Sequence, residues 1–421
     1  MSPGSFKYGF IDNVENLEHY KPGRYHPIHI DDRLHQRYRV VHKLGHGTFS
    51  TVWLALDQQS SKYVAVKIGT ADTKPREAEI LSNLATKAAD ATKPSPILPV
   101  IDRFDIAGPN GEHPCLVTAP ARCSIQDSKK AARFGLFELD VARSLCAQLA
   151  IAVCMVHAAG YAHGDLHLSN LLLHLPSSLD DLSIQQLYEK FGAPERIPVV
   201  RTDGSPIPPG VPAYAVPPVW LGIASDKIRL DAELLLSDFG VAFRPSEKSC
   251  FTSQTPLRMR APEATFEPTT PLSFPSDIWS FGCAIFELLG HRPLIEEFLA
   301  APDEITAQQV ELQGFMPPEW LSHWEKRSKW FDETGRSLVD ECDQWSWDRR
   351  FEEFVQELRR YSGMDTIGED EKTALLDLLR WMLAWKPEAR PTAAEVLESV
   401  WVRKWALLAY EQGQHVYVRG H

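Results

Sequence analysis

With 421 residues, 44% of them hydrophobic and 24% charged, the chain has enough apolar material for the cores of two or three domains. Its net charge of −12 argues against direct nucleic-acid binding, which needs a basic face, and suits either solubility or a positively charged partner. The most apolar stretch, Leu145 to Ala159, is interrupted by Gln148 and His157, so a buried helix is expected there and no membrane association.

Residues 1–37 are polar, contain Pro22, Gly23 and Pro27, show no clear period, and read as an extension. The first twenty have no basic segment running into an apolar one, so secretion is not expected. From Tyr38 come three β-type runs, YRVVHKLG, STVWLALD and YVAVKI, and a helical pattern begins near Pro75 and runs through ILSNLATKAA. Two more β-type runs, ILPVIDRFDI and CLVTA, flank the turn sequence GPNGEHP. Residues 38–119 therefore predict a small, mainly antiparallel sheet with one helix. Beyond Pro120 the character becomes helical. LDVARSLCAQLAIAVCMVHAAG is the strongest helix, followed by SDIWSFGCAIFELL, WDRRFEEFVQELRRY, KTALLDLLRWMLA and TAAEVLESVWVRKWALL. The expected architecture is α+β and bilobal, with a β-rich lobe over 38–119, a helical lobe over 120–410 and a tail over 411–421. An irregular Pro/Gly-rich insert, about 176–226, is expected to bulge from the larger lobe. Seven scattered cysteines with no Cys-x-x-Cys pair predict free thiols in a reducing compartment, cytoplasm or nucleus, and no zinc site.

Three local patterns carry chemistry. In LGHGTFSTVWL, Gly45, Gly47 and Ser50 occupy a hairpin turn, where small residues let backbone N–H groups approach phosphate oxygens. Fifteen residues past Val52, the apolar strand Val64-Ala65-Val66 ends in Lys67, placed to hold α/β-phosphates. Its carboxylate partner is expected to be Glu77, which shares a helix face with Leu81, while Glu79 reads as solvated. The second pattern is His163-Gly164-Asp165-Leu166-His167-Leu168-Ser169-Asn170, and the third is Ser237-Asp238-Phe239-Gly240. Each Asp or Asn alone is a turn former. In this order, after a glycine turn and a strand lysine, they match the needs of phosphoryl transfer: Asp165 to accept the substrate hydroxyl proton, Asn170 and Asp238 to hold Mg²⁺.

From Tyr38 to about Trp405 the chain resembles eukaryotic-type protein kinases. Ala261-Pro262-Glu263 is similar to the close of the activation segment, and Ser276-Asp277-Ile278-Trp279-Ser280-Phe281-Gly282 to the helix whose buried Asp anchors the catalytic loop. Arg390 matches the arginine that pairs with Glu263. Tyr20-Lys21-Pro22-Gly23-Arg24-Tyr25-His26-Pro27, with Gly47-Thr48-Phe49-Ser50-Thr51-Val52-Trp53-Leu54, resembles the SR-protein kinase family, especially its fungal-type members. The resemblance implies ATP and Mg²⁺ as cofactors. It implies an ATP-binding set of Leu44, Gly45, His46, Gly47, Ser50, Val52, Ala65, Lys67, Glu77, Thr118, Ala119 and Ala121, with Thr118 as gatekeeper before a hinge whose Pro120 lacks an N–H. It also implies a monomeric Ser/Thr kinase acting on protein substrates rich in Arg and Ser.

Two departures stand out. Gly164 replaces the arginine that receives a phosphorylated activation loop, so activity without that phosphorylation is expected. His167 replaces a lysine, and only its imidazolium form offers a positive charge to the γ-phosphate. His-Gly-Asp-Leu-His also resembles aminoglycoside- and choline-kinase-type enzymes, so small-molecule phosphorylation is the second expectation. A catalytically weak scaffold is the third, opposed by the survival of Lys67, Asp165 and Asp238. The acidic runs Glu296-Glu297, Asp303-Glu304 and Gly368-Glu369-Asp370-Glu371 are either docking groups for a basic substrate or solvated helix ends, and the tryptophans at 320, 324, 330, 345 and 347 either stack on Arg or pack a helical subdomain.

Overall fold

The computed structural model describes residues 6–74, 76–87, 95–175, 177–222, 228–314, 316–340 and 344–419. Pro75, Cys342 and the end of the insert at 223–226 lie outside them. The chain divides into two compact units. The first comprises Met1–Ala85, Leu98–Cys123 and His174–Ile223, and the second Thr86–Ile97, Ser124–Leu173 and Ala224–His421.

The first unit is built on six strands: β1 (Arg33–Leu34), β2 (Tyr38–Gly47), β3 (Ser50–Asp57), β4 (Lys62–Gly69), β5 (Val100–Gly108) and β6 (Gly111–Thr118). Their order in the sheet is β1-β2-β3-β4-β6-β5, with every pair antiparallel. A helix, Glu77–Lys87, follows β4. Side chains of a strand alternate between faces, and both faces of this sheet are covered. Val40, Trp53, Ala55, Val64 and Val66 pack with Ile28, Ile30 and Leu34 of the N-terminal extension. Val41, Leu54 and Tyr63 pack with Leu179, Leu187 and Leu221 of the insert.

The insert therefore belongs with the small β-rich unit, contrary to the expectation that it bulges from the helical one. Its helix Ile184–Phe191 starts on a capping box formed by Ser183 and Gln186, which satisfies first-turn amides locally. Tyr188 Oη donates to the Val41 carbonyl at 2.9 Å, the Tyr63 amide donates to Asp180 Oδ1 at 2.8 Å, and the Val219 amide donates to the Lys43 carbonyl at 2.8 Å. The Pro/Gly-rich part keeps only a two-by-two hairpin, Ile197–Pro198 with Tyr214–Ala215. That hairpin region joins Tyr8, Leu17, Tyr20 and Tyr25 in a satellite core through Val199, Val211 and Ala215.

His42, buried in β2, gives this unit a pH dependence. Its Nδ1 accepts the Lys43 amide at 2.9 Å, a role open only to the neutral ring, and burial pushes its pKa down to about 4. A histidine depressed from about 6.5 to about 4 contributes stability that is complete above the unfolded value and is lost as pH falls through that window. The melting temperature is expected to drop between pH 6.5 and 4. His42→Gln should flatten part of that slope, corresponding to at most about 3 kcal/mol. Calorimetry across the range checks this.

The second unit is helical. Leu139–Ala158 is long and apolar enough to cross a membrane by length and composition, but 72% of its most apolar window is buried inside the protein. It packs against Leu407–Arg419, where Gly413 approaches the Leu230 carbonyl too closely for a Cβ. The expected tail from 411 is thus part of a helix that ends at Arg419. The helix expected over TAAEVLESVWVRKWALL is broken at Glu398–Ser399. The Trp-rich stretch packs as a core: Trp320, Trp324 and Phe331 meet Phe266, Val310 and Trp385.

Candidate active site

In the first unit, sheet register gathers the residues expected around a nucleotide. Gly47 lies opposite Ser50 across the β2–β3 turn, Val52 opposite Lys67, and Ala65 opposite Thr118. Lys67 Nζ donates to both oxygens of Glu77, at 2.9 and 2.7 Å, while Glu79 is exposed. This is the partner expected from helix-face spacing. The pair fixes a lysine that would otherwise swing, since its side chain is about a quarter exposed (23%). Leu44 is half-buried against the insert's apolar cluster, and Gly45 and Gly47 carry nothing within 4 Å of where a Cβ would stand. Thr118 Oγ1 donates to the Ala119 carbonyl at 3.3 Å, just before Pro120 and Ala121.

In the second unit, the loop His163–Asn170 is tied down from below. The carboxylate of Asp277, on the helix Phe274–Leu289, accepts the His163 amide at 2.7 Å, the Gly164 amide at 2.9 Å and His157 Nε2 at 2.9 Å. Burial alone would raise its pKa, but His157, its hydrogen bonds and the nearby His163 outweigh burial and hold the group below the ordinary carboxylate value. On this anchored loop, Asn170 Nδ2 donates to the Asp165 carbonyl at 2.9 Å and to Asp165 Oδ2 at 3.2 Å. The other oxygen, Oδ1, is buried without a hydrogen-bond partner and lies 3.4 Å from His167 Nε2. His167 Nδ1 accepts the Ser169 amide at 3.3 Å, which leaves Nε2 to carry the proton that faces Asp165.

Asp238 follows the strand Leu234–Leu236, which pairs antiparallel with Leu171, Leu172 and Leu173. Ser237 joins it to the loop: its amide and hydroxyl both donate to the Asn170 carbonyl at 2.9 Å. Asp238 itself has φ +62°, a conformation rare for a residue with a side chain and found where function demands a special orientation. Asp165, His167, Asn170 and Asp238 are thus carried by one pair of strand-end loops. Asp238 and Asn170 supply hard oxygen donors, the ligand chemistry that Mg²⁺ takes.

Sequence reading did not single out Thr255. Its buried hydroxyl donates to the Gly164 carbonyl at 3.1 Å, and its own carbonyl accepts Arg260 Nε and Nη2 at 3.0 and 2.8 Å, so it ties the segment that ends at Glu263 to the loop His163–Asn170. The bracketing Thr-Pro dipeptide was the available signal.

The acidic runs are mostly occupied. Asp303 accepts Lys326 at 2.8 Å and Trp324 Nε1 at 2.9 Å, on the wall of a cavity of about 290 Å³ that also includes Arg260 and Pro262. Glu304 lies 3.6 Å from Lys329, Glu296 2.6 Å from Arg292 and Glu297 3.5 Å from Arg258, while Glu371 is buried on Arg143.

The protein kinase domain family matches residues 38–184 and 226–402. A serine/threonine-protein kinase SRPK of Physarum polycephalum is 27% identical over 92% of this chain and 91% of its own. The human SRSF protein kinase 3 is 39% identical over 25% of this chain and 20% of its own. The crystal structure of a kinase domain, 22% identical, overlays 89% of this chain and 98% of its own with a TM-score of 0.57, which shows the shared fold. The family's residue span covers most of the chain, including both strand-end loops and the Lys67–Glu77 pair, so the chain belongs to the protein kinase family and is a serine/threonine protein kinase.

Proposed function

We propose that this kinase transfers the γ-phosphoryl group of ATP to serine in Arg/Ser-rich proteins, with Mg²⁺, as a monomer in the cytoplasm or nucleus. The observation that carries the catalytic assignment is the half-satisfied carboxylate of Asp165: Asn170 orients one oxygen, and the other is buried and without a hydrogen-bond partner, ready for a hydroxyl proton. Asp165 acts as the base. Lys67, fixed by Glu77, orients α/β-phosphate oxygens, and the backbone at Gly45, Gly47 and Ser50 approaches the phosphates. Asn170 and Asp238 would hold Mg²⁺, which supplies charge to offset that of the phosphates. His167 presents its Nε2 proton beside Asp165, where related enzymes have a fixed cation.

Relatives whose names mark them as SRPK and SRSF protein kinases support the substrate class, and the net charge of −12 favours a basic partner. The Glu263–Arg390 strut supports a protein over a small-molecule acceptor, because it maintains the segment that presents a polypeptide. Incubation with labelled ATP and Mg²⁺ over a peptide array, with aminoglycosides and choline alongside, tests this. Label should fall on Arg/Ser peptides; label confined to the small molecules would overturn the reading.

Three arginines of the activation segment have protein partners. Arg258 reaches Glu287 at 3.3 Å, Arg244 reaches Glu247 at 2.9 Å, and Arg260 is spent on Thr255. Gly164, at φ +78°, brings no cation to the catalytic loop. Phosphatase treatment of the purified kinase is expected to change its rate by less than about twofold, since Gly164 stands where a phosphorylated residue would find its arginine. Mass spectrometry before and after treatment, with initial rates, checks it, and abolished activity would refute it.

A further inference from the structure

The N-terminal extension reaches the glycine turn. Tyr25 is buried, packed against Tyr20 with ring centroids 5.5 Å apart, and its hydroxyl donates to the Gly47 carbonyl at 2.6 Å. The Thr48 carbonyl lies 3.2 Å from the same hydroxyl. The Tyr25 backbone is fixed in turn: Asn110 Nδ2 donates to its carbonyl at 2.7 Å and to that of Gly210, in the insert, at 2.7 Å. A second tie lies four residues before the turn. Lys43 is fully buried in β2, its ammonium meets the Glu15 carboxylate and lies 5.4 Å from the Trp53 ring, and Glu15 also accepts the Tyr20 hydroxyl.

We propose that Tyr25 is a positioning residue for ATP binding, holding the phosphate-binding turn at Gly47 in its nucleotide-ready shape, with Glu15 and Lys43 fastening the extension that carries it. A glycine turn has more backbone freedom than any other, and ordering it when nucleotide arrives costs affinity. A hydrogen bond from a rigid, buried ring to the apex carbonyl removes part of that cost beforehand. The surrounding contacts point the same way, because the Phe49 carbonyl, on the other side of the apex, accepts the Thr70 amide at 2.8 Å. The inference rests on the assignment of Gly45–Ser50 as the ATP-binding turn.

Tyr25→Phe keeps the ring and its packing and deletes only the donor. In the full chain, KM for ATP is expected to rise about fivefold with kcat nearly unchanged, and amide hydrogen exchange over residues 45–50 should accelerate. The melting temperature should shift little, because the ring stays. Glu15→Gln combined with Lys43→Met, which releases the extension while leaving Tyr25 intact, should move KM and exchange in the same direction. A tyrosine that only packs would leave KM unchanged in the phenylalanine variant, and that result, with ordinary ATP binding by the parent protein, overturns the proposal. If the parent bound no ATP, the assignment of the turn would fail instead. Exchange over 45–50 then still decides the clamp: acceleration in Tyr25→Phe supports it and no change refutes it.

Discussion

Asp165→Asn is expected to lower kcat by about a thousandfold while leaving KM for ATP within about twofold, because the change removes the proton acceptor without removing a phosphate contact. The substitution is nearly isosteric. The Asn170 side chain still finds an oxygen at position 165, since it donates there at 3.2 Å and to the backbone carbonyl at 2.9 Å. Folding should therefore survive, and a melting curve on the same preparation verifies it. The orphaned Oδ1 sharpens the expectation. His167 Nε2, which carries the proton, lies 3.4 Å from it, so an amide nitrogen placed there would meet a second donor and a small loss of stability is expected as activity disappears. Single-turnover rates with saturating ATP separate this outcome from weakened binding. A variant that kept more than about a tenth of the parent rate would remove Asp165 from the role of base.

The elements closest to the chemistry were legible because their signals are local. A strand ending in Lys67, followed ten residues later by Glu77, needed only helix-face spacing to name the partner, and the ion pair closes at 2.7 Å. Asp277 and Arg390 could be placed by their neighbours in sequence, and the structure gives them the expected partners. What escaped depends on distant contacts. The insert leaves the chain between two loops of the helical unit, so chain order suggested that it stays there. Its home is decided by bonds such as Tyr188 to Val41, 147 residues apart. The helix Ile184–Phe191 carried a cue in its capping box, but nothing in the sequence names the sheet it covers. Tyr20 and Tyr25 stood out in the sequence as part of a family-like motif without a physical role, and only the fold brings Tyr25 to Gly47, 22 positions later. Acidic runs were ambiguous for the same reason: the lysines that neutralise Asp303 and Glu304 come from more than twenty residues away.

Arg390→Leu is expected to lower stability by about 4 kcal/mol, one of the largest effects available outside the catalytic loops. All five guanidinium donors are engaged in a site closed to solvent. Nη1 and Nη2 grip the two oxygens of Glu263 at 2.8 and 2.7 Å, and the remaining bonds go to the carbonyls of Pro275, Ala384 and Trp385 at 2.8 to 3.0 Å. The cation also lies 5.0 Å from the Trp279 ring. Leucine fills much of the volume but leaves the Glu263 carboxylate buried, with the Ser276 hydroxyl, at 3.0 Å, as its one remaining side-chain donor among the described residues. The cost is mainly that stranded charge rather than the lost attraction, because desolvating both ions offsets most of what the pair gains. The double variant Arg390→Leu, Glu263→Leu should therefore recover a good part of the loss, and a double-mutant cycle from thermal or urea unfolding measures the difference. If the double variant were as unstable as the two single losses added together, the pair would not be acting as a coupled strut, and the end of the activation segment would owe its position to the packing of Trp279 and Trp385 instead.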